Sequence, residues 1–191
     1  MKFLSVLFTG FLICSSGIII AQTPQKVVLE HKEVRIRWIP LEKALELADQ
    51  EGNQKKILVD IYTKWCKWCK RMDRITFQHP QIAEYINEHF YAVKFDAQYA
   101  EEIVYQDKTY GNIKTGKKRY HELAIEFLRG KMSYPTVVFL DKNMNLIQSI
   151  VGYKPPRQFE KIATYFGHDY YRKTPWSKYQ KVFRPILTKK E

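Results

Sequence analysis

The sequence predicts an α/β domain, a mixed central β-sheet with helices on both faces. Apolar runs and stretches of helical spacing alternate in the order β-α-β-α-β, a crossover, then β-β-α. That order calls for strands joined by covering helices. The run Ile57-Leu58-Val59-Asp60-Ile61-Tyr62 is apolar with one acid inside it, the pattern of a buried central strand. The chain has 191 residues, 45% hydrophobic and 15% aromatic, which suits one domain with a sizeable core and some additions.

The first 21 residues stand apart. MKFLSVLFTGFLICSSGIIIAQ has one positive charge at Lys2, an apolar run from Phe3 to Ile20, and Ala21 at a plausible cleavage point, so residues 1–21 read as a signal peptide. An uncleaved signal anchor is the other reading, because the run is longer than the usual signal core. Both place the rest of the chain outside the cytoplasm: periplasmic in a Gram-negative source, otherwise extracellular or membrane-anchored. Cys14 belongs to the discarded segment. Removal of residues 1–21 takes away Lys2 and no acid, lowering the formal charge from +12 to +11. A strongly basic exported domain favours acidic partners or anionic membrane surfaces, and export makes nucleic acid the weakest candidate.

From Val27 to Ile39 the chain alternates, with Val34, Ile36 and Trp38 on one side, which predicts a strand. After Pro40, the spacing of Leu41, Ala44, Leu45 and Ala48 predicts a helix ended by Gly52-Asn53. Behind the central strand, Cys69, Met72 and Ile75 keep helical spacing. The pattern resumes after His79-Pro80 with Ile82, Ala83, Ile86 and Phe90, giving one kinked helix or two stacked pieces. Strands are predicted at Tyr91 to Asp96, Thr136 to Leu140 and Leu146 to Val151, with a turn at Asp141-Lys142-Asn143. A last core helix is predicted from Pro156 to Phe166, stopped by Gly167.

Two segments exceed this minimum. Between Asp96 and Pro135 lie 38 residues, where a crossover needs about a dozen. The later part, with Tyr120, Leu123, Ala124, Phe127 and Leu128, reads as an amphipathic helix. The earlier part, Val104 to Lys118, is polar and contains glycine, and reads as an exposed insertion spanning about 98–118. The tail, 168–191, carries seven Lys/Arg against Asp169 and Glu191, interleaved with aromatic residues. Thr174-Pro175 starts a helix there, on which Trp176, Tyr179 and Phe183 share a face. That face either packs on the domain or serves as a working surface. The domain proper is thus 22–167, followed by a basic aromatic extension.

The only cysteines beyond the first segment are Cys66 and Cys69, in TKWCKWCK. Cys-x-x-Cys at a helix start sets the sulfurs one turn apart, within bridging distance. The first thiol sits where unpaired N–H groups and the helix dipole stabilise a thiolate, with Lys64, Lys67, Lys70 and Arg71 nearby. As a redox pair, Cys66 should therefore act as the attacking nucleophile and Cys69 as the resolving thiol. A zinc site would need two more ligands, and the five histidines are scattered. A bridge closing so short a loop constrains the unfolded chain little. A copper-handling pair remains compatible with the spacing, though no methionine or histidine cluster accompanies it.

The stretch from Ile57 to Lys70, with its acid six residues before the first cysteine, resembles the active-site strand and helix start of thioredoxins. Ala92-Val93-Lys94-Phe95-Asp96 resembles the next strand with its lysine, Ser133-Tyr134-Pro135-Thr136 the cis-proline loop, and Val151-Gly152-Tyr153 the last strand's glycine. The run WCKWCKRMDRITFQHPQIAEYINEHFYAVKFD is similar to a thioredoxin-like subfamily with a Trp-Cys-x-Trp-Cys-Lys-x-Met signature. That subfamily includes soluble domains of bacterial thiol:disulfide interchange proteins. The resemblance covers about Ile36 to Gly167 and departs in Lys67-Trp68, the insertion and the tail.

It implies the thioredoxin fold and a protein-disulfide oxidoreductase with no cofactor beyond the dithiol and no metal. Asp60, buried with a raised pKa, would accept the Cys69 proton, with Lys94 as its charge partner; an ordinary buried ion pair is the plainer alternative. Pro135, if cis, would present Tyr134 backbone to a substrate strand. Trp65 would offer a flat contact surface, and Trp68 would face either the substrate groove or its own helix. The partners implied are protein disulfide substrates and an electron donor, a redox protein or membrane transporter; the basic tail adds membrane-surface contact. The subfamily favours a reductase. An oxidase or isomerase of the same fold, and a non-catalytic binding or assembly module, are the alternatives.

Overall fold

The computed structural model describes residues 34–185 and 187. The signal segment, 1–21, lies outside the described residues, as does the beginning of the strand expected from Val27. In chain order the described elements begin with β1 (Trp38–Ile39), α1 (Leu41–Ala48), β2 (Lys56–Tyr62) and α2 (Lys67–Met72). A π-helical turn, Asp73–Phe77, leads to α3 (Pro80–His89) and β3 (Phe90–Asp96). Two small hairpins follow, β4 (Ile103–Tyr105) with β5 (Lys108–Tyr110) and β6 (Asn112–Thr115) with β7 (Lys118–His121). Then come α4 (Glu122–Phe127), β8 (Thr136–Leu140), β9 (Leu146–Val151) and α5 (Pro156–Gly167), and finally α6 (Tyr170–Lys173) and α7 (Trp176–Val182).

The main sheet runs β1-β3-β2-β8-β9, so β2 is central. It pairs in parallel with β3, setting Asp60 opposite Lys94, and antiparallel with β8. Alternation along the strands sends Ile57, Val59 and Ile61 to the face covered by α1 and α4, where Leu41, Leu45, Leu123 and Phe127 complete the cluster. Leu58, Ala92 and Phe139 meet Met72, Phe77, Ile86 and Phe159 on the other face. Helices therefore cover both faces, as the continuous apolar run of β2 requires.

Three local expectations change, and a fourth point that the sequence left open is decided. First, among the described residues β1 pairs only Trp38 and Ile39, and the Asn87 side chain takes over the chain just before it. Its Oδ1 accepts the Arg37 N–H at 2.8 Å and its amide donates to the Arg35 carbonyl at 2.9 Å. Second, Ile75 is 42% exposed, while Thr76 and Phe77 are buried. The π turn holds more residues per turn than an α-helix, so the buried stripe slips by one position after Met72.

Third, the insertion is exposed over most of its length, as expected, but it is built as two hairpins rather than a loop. Gln106 and Asp107, both at positive φ, form the tip of the first hairpin, and Ile103, Tyr105 and Tyr110 enter the α1/α4 core. Tyr120 lies on β7, so the helix begins only at Glu122. Fourth, the tail packs on the domain. Tyr179 is 6% exposed, its ring meets Tyr165 and Phe183, and its hydroxyl shares a 2.8 Å hydrogen bond with Thr164. The buried Glu160 carboxylate accepts the Leu187 N–H at 2.8 Å.

Candidate active site

The pair of cysteines sits where β2 gives way to α2. The Cys66 N–H donates to the Thr63 carbonyl at 3.0 Å, turning the chain. Cys66, in extended conformation, is the N-cap of α2, and its Sγ accepts the Cys69 N–H at 3.0 Å. A sulfur here does what a serine or aspartate oxygen does at other helix starts. Cys66 and Cys69 are disulfide-bonded with Cα atoms 5.3 Å apart, and both are buried. Trp65 and Trp68, each beside one cysteine, are 53% and 56% exposed.

Asp60 shares a face of β2 with Leu58, the face that α2 covers, and is 1% exposed. Lys94 Nζ lies 3.1 Å from Asp60 Oδ2 and also contacts the Asp73 carboxylate on the π turn. The Asp60 contact has the distance of an ion pair but not the direction of a hydrogen bond, and neither Asp60 oxygen has a hydrogen-bond partner among the described residues. Burial is the main reason that the Asp60 carboxyl is pushed up to about 6. Lys94 opposes the rise and Asp73 adds to it. Burial pulls Lys94 down, but Asp60 and Asp73 outweigh it and its pKa is raised. The ammonium is further flanked by the rings of Tyr62 at 5.0 Å and Trp38 at 5.3 Å.

The Tyr134–Pro135 peptide bond is cis, and the Pro135 carbonyl accepts the N–H of Gly152, whose φ is +85°. The Tyr134 ring meets Trp65 edge-on at 5.8 Å. Trp65 in turn donates its indole N–H to Gln98 Oε1 at 3.3 Å, and Lys118 Nζ stands 4.4 Å from its ring. Trp68 leans on Tyr153, ring centroids 5.6 Å apart, with the Arg71 guanidinium 5.6 Å from one ring and 5.4 Å from the other.

Of the eight residues singled out from the sequence, the structure pairs Cys66 with Cys69, Asp60 with Lys94, and Trp65 with Tyr134; Trp68 flanks the second cysteine and Pro135 follows Tyr134 in the chain. Sequence reasoning missed Asp73, Tyr153, Gln98 and Lys118. The spacing of Asp73, four residues after Cys69 on the same helical run, is the one signal that points to it. Among the described residues no group of three or more His, Cys, Asp or Glu could hold a metal ion.

The model of the thioredoxin-like domain matches residues 41–167. The chain belongs to the thioredoxin-like family. Among solved structures it is similar to a thioredoxin-fold protein from Helicobacter pylori, at 22% identity and a TM-score of 0.51, covering 73% of this chain and 89% of that one. Spermatogenesis-associated protein 20 of Rattus norvegicus is 29% identical over 84 residues, 44% of this chain and 10% of that protein. An uncharacterized protein of Caenorhabditis elegans is 27% identical over 92 residues, 48% of this chain and 12% of that one. The chain therefore spans about a tenth of the length of these two relatives. The thioredoxin-like match takes in the main sheet except β1, the cysteine pair and the insertion, and ends where the basic tail begins.

Proposed function

We propose that the protein is an exported thiol:disulfide oxidoreductase that reduces protein disulfides. The observation that carries this reading is a cysteine pair at a helix N-cap joined to a strand holding a buried carboxyl whose pKa is pushed up to about 6. In the reduced protein the Cys66 thiolate, stabilised by the N–H groups and dipole of α2, attacks one sulfur of a substrate disulfide. A mixed disulfide forms and the first substrate thiolate leaves. The Asp60 carboxylate takes the proton of Cys69, whose sulfur attacks Cys66 and expels the second substrate thiolate. The substrate gains two electrons and the protein is left as the Cys66–Cys69 disulfide. Another dithiol, from a redox protein or membrane transporter, returns the two electrons.

The surfaces of Trp65, Trp68 and Tyr134 beside the pair fit a passing substrate chain, with Pro135 shaping the loop that carries Tyr134. Export rests on the apolar N-terminal segment, and the reducing direction on the Trp-Cys-x-Trp-Cys-Lys signature. With dithiothreitol as donor, the purified protein is expected to accelerate insulin reduction, and Cys66→Ser to abolish the acceleration. Equal rates with the variant would remove Cys66 from the mechanism.

A further inference from the structure

We propose that the redox face selects disulfides flanked by acidic residues, and that the β6–β7 hairpin is the element that selects them. This deepens the reductase reading and rests on it. The hairpin carries Lys114, Lys117, Lys118 and Arg119, all exposed, and no acid lies between Lys108 and His121. The cysteine-bearing stretch itself carries Lys64, Lys67, Lys70 and Arg71, also exposed, with no acid from Ile61 to Met72. Of the acids that flank these stretches, Asp73 contacts Lys94, Asp96 accepts the Gln98 N–H at 2.9 Å and Glu122 accepts the Gly111 N–H at 2.8 Å, while Glu102 and Asp107, before the hairpin in sequence, are exposed.

The hairpin is fastened to the site. Gln98 accepts the Trp65 indole N–H and donates to the Arg119 carbonyl at 3.4 Å, while Lys118 stands over the same indole ring. Arg119 is itself braced by Asn112 Oδ1 at 2.8 Å. Each tryptophan beside the cysteines thus has its own cation, Lys118 for Trp65 and Arg71 for Trp68. A substrate chain lying against these rings meets positive charge from both.

Folding contacts account for Arg119 and Lys118 but not for Lys114 and Lys117, and the register of the hairpin works against the charge. Lys114 and Arg119 are directly opposite in the hairpin register, and like charges placed so destabilise a strand pair. The arrangement gains from a partner of opposite sign. Exposed charges ringing an attack site raise the encounter rate of oppositely charged substrates and discourage like-charged ones, and salt screens both effects.

The test uses the full chain with dithiothreitol as donor and two peptides of equal length. Each has one internal disulfide, flanked by glutamates in one and by lysines in the other; bis(2-hydroxyethyl) disulfide serves as an uncharged substrate. At about 20 mM salt, the glutamate peptide is expected to be reduced at least tenfold faster than the lysine peptide, the low end of electrostatic steering effects. At about 0.5 M salt the ratio is expected to fall below threefold. Lys114→Glu with Lys117→Glu is expected to lower the low-salt ratio at least fivefold, with an unchanged circular dichroism spectrum confirming the fold.

Equal rates for both peptides, with the uncharged disulfide still reduced, overturn the selectivity and leave the reductase reading standing. Failure to reduce all three overturns the reductase reading itself. A preference that survives in the charge-reversed hairpin overturns the role of the hairpin. Binding to anionic vesicles without any peptide preference assigns the charge to a lipid surface and also overturns the proposal.

Discussion

Replacing Asp60 with Asn should make the oxidised protein more stable, and more so as the pH rises. In the folded chain this carboxyl titrates near 6 because it is buried, whereas 3.8 is its ordinary value. Between those values the folded state holds a proton that the unfolded state has lost, so stability declines as pH rises through this window. Above pH 7 the full cost of ionising Asp60 in place is present. Moving a carboxyl from 3.8 to about 6 corresponds to about 3 kcal/mol. At pH 4.5 the same linkage gives about 1 kcal/mol, and below pH 3.5 almost none. Asn keeps the shape without the charge, so the variant should gain up to about 3 kcal/mol at pH 8, or about 6–12 °C in Tm for a domain of this size. Lys94 loses one partner but keeps Asp73, which preserves its compensation. Guanidinium or thermal unfolding of both proteins at pH 4.5 and pH 8 measures the difference. A variant no more stable than the parent at pH 8, or a gain equal at both pH values, would refute the reasoning.

Two further substitutions probe the packing around this core. Gly167→Ala would drive a Cβ into the hydroxyl end of Tyr85, whose ring is held by His89 at 4.2 Å and whose oxygen bonds His168 Nδ1 at 3.1 Å. It should cost about 1–3 kcal/mol by overpacking, and an unchanged or higher Tm would show that Tyr85 yields freely. Tyr179→Ala should cost about 3–5 kcal/mol in chemical denaturation, as for other large buried rings, and a loss under 1 kcal/mol would mean that α7 is not docked in solution.

The central strand and the cysteine pair were legible from local rules, an apolar run and a helix start, whereas Asp60, Lys94 and Pro135 were picked out by the resemblance to thioredoxins. Asp73 was not, since its partner Lys94 is supplied by a strand that arrives 21 residues later and only the packed fold brings the two together. The insertion misled because its first turn, Gln106-Asp107, uses no glycine, while its buried tyrosines are spaced among lysines. Gly116, at positive φ between Thr115 and Lys117, was the readable sign of the second hairpin. The phase slip at the π turn left no mark in a pattern read at 3.6 residues per turn. For the tail, the aromatic spacing of Trp176, Tyr179 and Phe183 was visible, but spacing alone does not distinguish a docked face from a free one.

The sulfur of Cys66 closes the first turn of α2 by accepting the Cys69 N–H, and under the proposed mechanism it is also the atom that attacks the substrate. A negative sulfur holds that N–H more tightly than a bridged one, because the helix end favours the anion. Each step of the cycle is therefore also a small tightening or loosening of the helix, felt at a single amide. Oxidation state and local folding are written on the same atom, and the amide proton of Cys69 is a built-in gauge of which form the protein is in.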